Sequence, residues 1–401
     1  MRLTETIQVN KGTTLYKELD NFCFLSKNLY NASLYAVRQY FFKTGKYLNY
    51  SASNGIFIQT RNPDYYALPT KVSQQTMKIV DQNFKSFFGL LKLKNGKAKL
   101  PRYLEKNGRY VTVFTNQAIS SKLLKQNVLK LSGINATIKI RPNIQRIKEV
   151  RIVPRLTMNT MSIEFVYEAN ESLLKNDNGK YASIDLGVNN LATVSFNFKR
   201  GFIINGRPLK SINQFYNKKK ATLQNLKSNK SKSLNRKRNN KVSDYLHKTS
   251  RFITNQLVSN RVNTLIIGKN DGWKQDVNIG KRNNQNFVSI PFEKFIKMLS
   301  YKCRLVGINV LKINESYTSK CSFIDFEQIQ HHDDYVGSRI KRGLFRSKNK
   351  RFINADLNGS LNIMRKVVSD SYASEIIDSG RLFRPLKLND LYSLKNIEVY
   401  K

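Results

Sequence analysis

The chain has 401 residues, enough for two or three domains with buried cores. Lys and Arg number 70 against 27 Asp and Glu, a formal charge of +43, although charged residues are an ordinary 24% of the whole. With 40% apolar and 11% aromatic residues this is no disordered basic tail, no run approaches the ~20 apolar residues of a membrane span, and the opening MRLTETIQVN has no hydrophobic signal core. A charge so one-sided opposes compaction unless a polyanion neutralises it, the alternative being a basic ribosome-associated or surface protein without chemistry.

Residues 2–10 alternate weakly and predict one strand. Over 14–43, Leu15, Leu19, Phe22, Leu25, Leu29, Leu34, Val37 and Phe41 recur mostly at three- and four-residue steps and predict a helix. Gly45, Gly55, Asn62-Pro63 and Pro69 mark 44–69 as loop or short helix. A second amphipathic helix over 71–93 carries Val72, Met77, Val80, Phe84, Phe87 and Leu91 on a face that reads as core. Short β-rich segments at 109–115, 127–131, 136–140, 149–154 and 161–167 predict a small β-barrel. Lys97, Lys99, Arg102, Lys106 and Arg109 at its start favour a nucleic-acid surface over a merely solvated face.

From residue 181 the pattern becomes α/β. Strands are predicted at 181–185, 191–196 and 201–204, a long polar helical region at 209–259, a strand at 263–267, a helix at 292–306 and a strand at 308–313. Residues 316–353 are irregular, basic and β-like, a last helix runs over 356–368, and 370–401 shows no clear period. Three strands, a helix, a strand, a helix and a strand is the order of an RNase H-like fold. There an Asp at the end of the first, central strand sits beside the start of the last helix. Asp185 and Asp356 stand at those places, although a turn and a helix cap each explain one Asp alone.

Together they would hold Mg²⁺ through hard oxygen ligands, and paired ions in phosphodiester hydrolysis call for a third carboxylate. That acid is expected at the end of the fourth strand, where NTLIIGKN offers only Gly268 and then Lys269. Glu315, at the end of the next strand, is the preferred substitute, since adjacent strands lie about 4.8 Å apart. Asp271 stands in an apparent turn and Glu293 at a helix start, and both are poorer candidates.

The segments DLGVNNLAT from Asp185, NGRPLK from Asn205, GWKQ from Gly272, SYTSK from Ser316 and NADLNGSLNI from Asn354 resemble the TnpB (OrfB) proteins of insertion sequences. These are RNA-guided DNA endonucleases related to compact type V CRISPR effectors. The ordered match spans 181–366, and 1–180 agree in layout. The resemblance implies a multidomain α+β chain. A first strand (1–12) and a barrel (97–180) enclose a helical recognition lobe (13–96). A RuvC-like nuclease domain (181–315 with 355–368) follows, carrying a basic insert (316–354) and a tail (369–401) expected to be disordered. It makes Asp185 and Asp356 RuvC-type carboxylates and metal ligands, with Glu315 a rearranged second one, two Mg²⁺ ions as cofactors, and a guide RNA and double-stranded target DNA as partners. The expected setting is a bacterial cytoplasm, at the nucleoid when bound, with monomer and dimer both open.

The family commonly carries a four-Cys zinc ribbon in the insert. Here Cys23, Cys303 and Cys321 are the only cysteines, with no CxxC, and only Cys321 lies in the insert. Adjacent His331-His332 with Cys321 and Asp333 fit one tetrahedral site poorly, so no zinc is expected. From Arg207 to Arg251 there are 14 cations against one acid. Arg207, Lys210, Lys218, Lys219, Lys220, Arg236, Lys237 and Arg238 there read as nucleic-acid contacts. Lys274 beside Trp273, and Arg339, Lys341, Arg342 and Arg346 of the insert, read the same way. Two rival functions share these features: a nuclease-dead RNA-guided repressor, favoured by Gly268, and a DNA-strand transferase acting directly in transposition.

Overall fold

A computed structural model of the chain describes residues 1–93, 98–142, 144, 146–223, 228–270, 280–368, 370–378 and 385–388. They divide into one unit of Met1–Asn170 with Lys227–Ser233 and another of Glu171–Leu226 with Leu234–Lys401.

The first unit begins with β1 (Arg2–Asn10), then α1 (Thr14–Thr44), α2 (Tyr50–Gln59), α3 (Pro63–Tyr66) and α4 (Thr70–Lys92). β2 (Thr112–Thr115), α5 (Ser121–Leu124), β3 (Val128–Lys130), β4 (Thr137–Lys139), β5 (Ile147–Arg155) and β6 (Thr160–Glu168) follow. α1 starts where the Thr13 side chain accepts the Tyr16 N–H at 3.1 Å and stops at Gly45, whose φ of 64° only glycine takes without strain. Its Leu19, Phe22, Leu29, Leu34 and Val37 are buried, as the spacing predicts, and so is Cys23. β1 pairs antiparallel with β6 along its whole length, so the helices are inserted between strands of one sheet of order β1-β6-β5-β2. The predicted barrel is instead this open sheet plus a β3–β4 hairpin. The two hairpin strands have three residues each and pair with one another, and among the described residues no strand joins the edges β1 and β2.

The second unit contains β7 (Tyr181–Leu186), β8 (Asn190–Phe196), β9 (Phe202–Asn205), α6 (Arg207–Ala221), α7 (Asn229–Ser259), whose first residues belong to the other unit, and β10 (Thr264–Gly268). It continues with α8 (Lys281–Ser289), α9 (Phe292–Leu305), β11 (Asn309–Ile313), β12 (Ser338–Lys341), β13 (Leu344–Arg346), β14 (Phe352–Asn354), α10 (Ala355–Arg365), α11 (Ser371–Asp378) and β15 (Leu386–Leu388). The main sheet has the order β11-β10-β7-β8-β9-β15. β10 is parallel to β7 and β11 to β10, whereas β8 is antiparallel to both its neighbours. The ends of β7, β10 and β11 therefore share one edge. β10 reads as an unbroken apolar run because both faces are covered. Leu246, Leu257, Phe295 and Leu299 pack in the core with Ile184 and Ile267. Leu357, Leu361 and Ile363 of α10 pack in another with Ile266 and Phe323.

The helical region predicted over 209–259 is present as the pair α6 and α7. Two other expectations change. α8 was not foreseen. The tail is not wholly irregular: α11 buries Tyr372, Ala373, Ile376 and Ile377, and β15 adds a parallel edge strand beside β9. Eight- and three-residue elements are too short to show a period. Among the described residues no helix is long and apolar enough to cross a membrane.

Candidate active site

Asp185 is the fifth residue of β7, and α10 is laced against that strand. Ser183 Oγ donates to the Ser360 carbonyl at 2.6 Å, and Ser360 Oγ donates to the Ser183 and Thr193 carbonyls at 3.1 Å. A Cβ on Gly359 would stand 3.0 Å from Asp185 Oδ2, so a glycine lets the helix come this close to the carboxylate. Asp356 lies three residues earlier on the same helix, hence on the same side. Its turn is capped by Asn354, whose side-chain oxygen accepts the N–H groups of Asp356 and Leu357 at 3.1 Å.

Glu315 completes the group from the neighbouring strand. Gly268 pairs with Ile313 at the ends of β10 and β11, and Glu315 follows two residues later. A Cβ built on Gly268 would lie 2.7 Å from Glu315 Oε2 and 3.1 Å from its Cβ. The Glu315 side chain thus lies across the space that a side chain at 268 would enter. It is held there from three sides. Its N–H donates to Asn270 Oδ1 at 3.1 Å, Thr318 Oγ1 donates to its carbonyl at 2.8 Å, and Lys366 Nζ donates to the Asn314 and Ser316 carbonyls at 2.9 and 2.8 Å. Glu315 Oε2 is buried and accepts no hydrogen bond. An orphaned anionic oxygen is costly, and a hard cation is the group that would satisfy it.

The electrostatics agree. Burial, with the charges of Glu315 and Asp356, holds the Asp185 carboxyl well above the ordinary range, against the opposing pull of Arg339 and the Leu186 N–H. Burial pushes Glu315 up to about 7, with Lys366 opposing it. Without a cation the folded state therefore binds protons that the unfolded chain releases. That contribution to stability is present at low pH and is lost as pH rises from about 4.5 through about 7. Thermal melts in chelator across this window should show wild type losing more stability than Glu315→Gln, by about 2–3 kcal/mol. Mg²⁺ should raise the wild-type melting temperature more at pH 8 than at pH 5, and identical pH profiles of the two proteins would refute this account.

Two contacts were not foreseen. Asn190 Nδ2 donates to Asp356 Oδ2 at 2.5 Å, and Arg339 pairs with Asp356 Oδ1 at 3.1 Å. Arg339, read from sequence as a nucleic-acid contact of the insert, stands at the carboxylates. Its side chain is still 48% exposed, so the pair itself is worth at most about 1 kcal/mol. The only hint in the sequence was that Asn190 shares the DLGVNNLAT segment with Asp185.

The other predicted contacts separate by surroundings. Arg207, Lys218, Lys219, Lys220, Lys237, Lys341, Arg342 and Arg346 are exposed, Lys210 and Arg236 half-buried. On α6, Lys219 lies 6.0 Å from the Phe215 ring and Lys220 5.9 Å from Tyr216, and Phe215 is exposed. Arg238, half-buried, donates to Asn213, Asn239 and the Ser289 carbonyl within the protein. Lys274, Trp273 and Asp271 lie outside the described residues. In the insert, Cys321, Glu327 and His332 bring ligand atoms within 4.8 Å of one another, while His331 turns edge-on to Tyr317. Sequence reasoning did not include Glu327. Each of the three atoms already has a protein partner. Glu327 accepts the Ser322 and Val336 N–H groups at 2.6 and 2.9 Å, the Cys321 thiol faces the Gln328 and Gln330 carbonyls, and His332 Nε2 faces the Gln328 carbonyl at 2.7 Å.

A mixed α/β unit with three carboxylates gathered at one sheet edge, two of them held above their ordinary pKa, is the framework to which the comparisons with known proteins attach. A family model described as OrfB_IS605, probable transposase, matches residues 164–274, and one described as Cas12f1-like, TNB domain, matches 292–363. By these two matches the chain is similar to the OrfB (TnpB) proteins over the first strands of its second unit and to the Cas12f1-like proteins over its insert. The TnpB-like protein ORF457 of Acidianus two-tailed virus is 22% identical over 422 residues, covering 92% of this chain and 87% of that protein. Solved structures that the chain matches include a Cas12f1–sgRNA–target DNA complex, at TM-score 0.37 and 14% identity over 90% of this chain and 98% of that one. Another is the mini-RNA-guided endonuclease CRISPR-Cas_phi3, at 0.43 and 9% over 97% and 94%.

Proposed function

We propose that the chain is an RNA-guided, Mg²⁺-dependent DNA endonuclease whose RuvC-like site is Asp185, Glu315 and Asp356. The strand order supports an RNase H-like reading of the second unit, with β7 central and β8 and β9 on one side, β10 and β11 on the other. The observation that carries the site is Glu315 Oε2, buried, unpartnered and lying where a residue at 268 would project. Gly268 was the motive for a nuclease-dead reading, and the Glu315 side chain lying in that space supports the nuclease over it. Bound Mg²⁺ would supply Lewis-acid activation of water and charge stabilisation at the phosphate. The chain's own residues prepare the site. Lys366 and Asn270 fix the backbone around Glu315, Asn190 orients Asp356, and Arg339 pairs with Asp356. Guide pairing would read the target sequence, and the first unit would bind guide scaffold and flanking motif. Arg207, Lys210, Lys218, Lys219, Lys220, Arg236, Lys237, Lys341, Arg342 and Arg346 would carry the backbone contacts.

The test is to sequence RNA that copurifies with the protein and to assay cleavage of matching DNA with it. A discrete RNA is expected, with an affinity that falls by about 10³-fold or more between 50 and 200 mM salt. A protein that carries no discrete RNA and shows no such salt dependence refutes the guide.

The insert is read as zinc-free and pinned by Glu327, which accepts the Ser322 and Val336 N–H groups. Glu327→Gln would set an amide NH₂ against a backbone N–H and should cost about 1–3 kcal/mol in a denaturation experiment. One zinc per chain by elemental analysis, lost on Cys321→Ser, would reverse this reading.

A further inference from the structure

A cleft of about 460 Å³ in the first unit takes no part in the chemistry above. Its wall includes a planar cation that cannot swing. Arg109 donates Nε and NH2 to the two oxygens of Asp20 at 2.9 and 2.8 Å, and NH1 to the Asn107 and Gly108 carbonyls. The guanidinium centre lies 4.9 Å from the Phe24 ring, which also carries the Lys27 ammonium at 4.3 Å. Arg109 nevertheless keeps 24% of its side chain exposed and lines the cleft. Tyr16, half-buried and packed on the core, lines it too. Lys11 and Lys17, also in the wall, are exposed, and among the described residues neither has an ion pair.

These groups divide the work in a recognisable way. Asp20 cancels the charge of Arg109, so its value is a flat, rigid surface and not phosphate binding. Bases stack on guanidinium planes and on aromatic rings. The two lysines supply the charge that a phosphate needs. A duplex cannot use such a wall, because its bases are already stacked on one another, and a bare phosphate has no use for the rings. We propose that the cleft holds one unpaired nucleotide of a bound RNA or DNA strand, its base against Arg109 and Tyr16 and its phosphate on Lys11 and Lys17. The inference rests on the nucleic-acid binding proposed above and not on the carboxylates.

The experiment uses the full-length ribonucleoprotein with its copurified RNA. Photocross-linking with 4-thiouridine or 6-thioguanosine in the RNA, and separately with thio-bases in the target strands, should label a peptide containing Tyr16 or Arg109 and tell RNA from DNA. Tyr16→Ala and an abasic residue at the labelled position should each weaken binding about 5- to 100-fold, and together no more than either alone. Tyr16→Phe should bind like wild type, which separates stacking from misfolding. Lys11→Glu with Lys17→Glu should lower the slope of log affinity against log salt by about 1–2, whereas Tyr16→Ala should leave it unchanged. No label from either strand, or additive losses, overturns the pocket. A complex that shows the label but does not cut DNA supports the pocket and overturns the nuclease reading instead.

Discussion

Glu315→Gln is expected to abolish DNA cleavage, by ~10³-fold or more, while guide and target binding stay near wild type. The substitution keeps shape and removes the charge of the carboxylate whose Oε2 is, among the described residues, the one carboxylate oxygen buried without a partner. Asp185→Asn and Asp356→Asn should behave alike, since the charges of Glu315 and Asp356 both act on Asp185. The competing explanation gives Glu315 only a surface ion pair, whose loss would cost at most about 1 kcal/mol and hardly touch the rate. The geometry argues against that: Lys366 donates to the backbone carbonyls on either side of Glu315. Cleavage assays with matched RNA decide it. A Glu315→Gln protein that cuts normally in Mg²⁺ while Asp185→Asn is dead would sink the rearranged site.

The second large effect concerns position 268. Gly268→Ala puts a methyl 2.5 Å from Ile363 Cδ1 and 2.7 Å from Glu315 Oε2, both closer than real contacts allow. The Ile363 methyl is a movable chain end, but it is buried in a packed core, and the other atom is the buried carboxylate oxygen of the proposed site. Overpacking of this kind costs about 1–3 kcal/mol, and cleavage should fall with it. The informative variant reverses the rearrangement. Glu315→Ala alone should be inactive. Adding Gly268→Glu and Ile363→Val to it removes both close contacts and offers a carboxylate from β10. That triple variant should recover at least ~10-fold over Glu315→Ala, the equivalent of about 1.4 kcal/mol. If Gly268→Ala folds and cuts like wild type and the triple variant recovers nothing, Glu315 is not standing in for a residue at 268.

Much of this was legible along the chain because it is local. Periodicity marked α1 and α4, and alternating apolar runs marked β5 to β8. Asp185 at a strand end and Asp356 at a helix start are visible as sequence positions, and the absent acid at Gly268 is visible in the same way. Short elements such as α8, α11 and β15 were not, since a few residues show no period. What the tertiary structure alone decided depends on contacts between distant residues. The Gly268–Ile313 register brings Glu315 over the glycine. Pairing across 166 residues sets Asn190 on Asp356, and the β12 position turns Arg339 from a groove contact into a neighbour of the site. Glu327 reaches Val336 and Cys321 only because the insert folds back on itself. The open β1-β6-β5-β2 sheet likewise follows from which edges meet, and a strand's own sequence carries its propensity but not its partner.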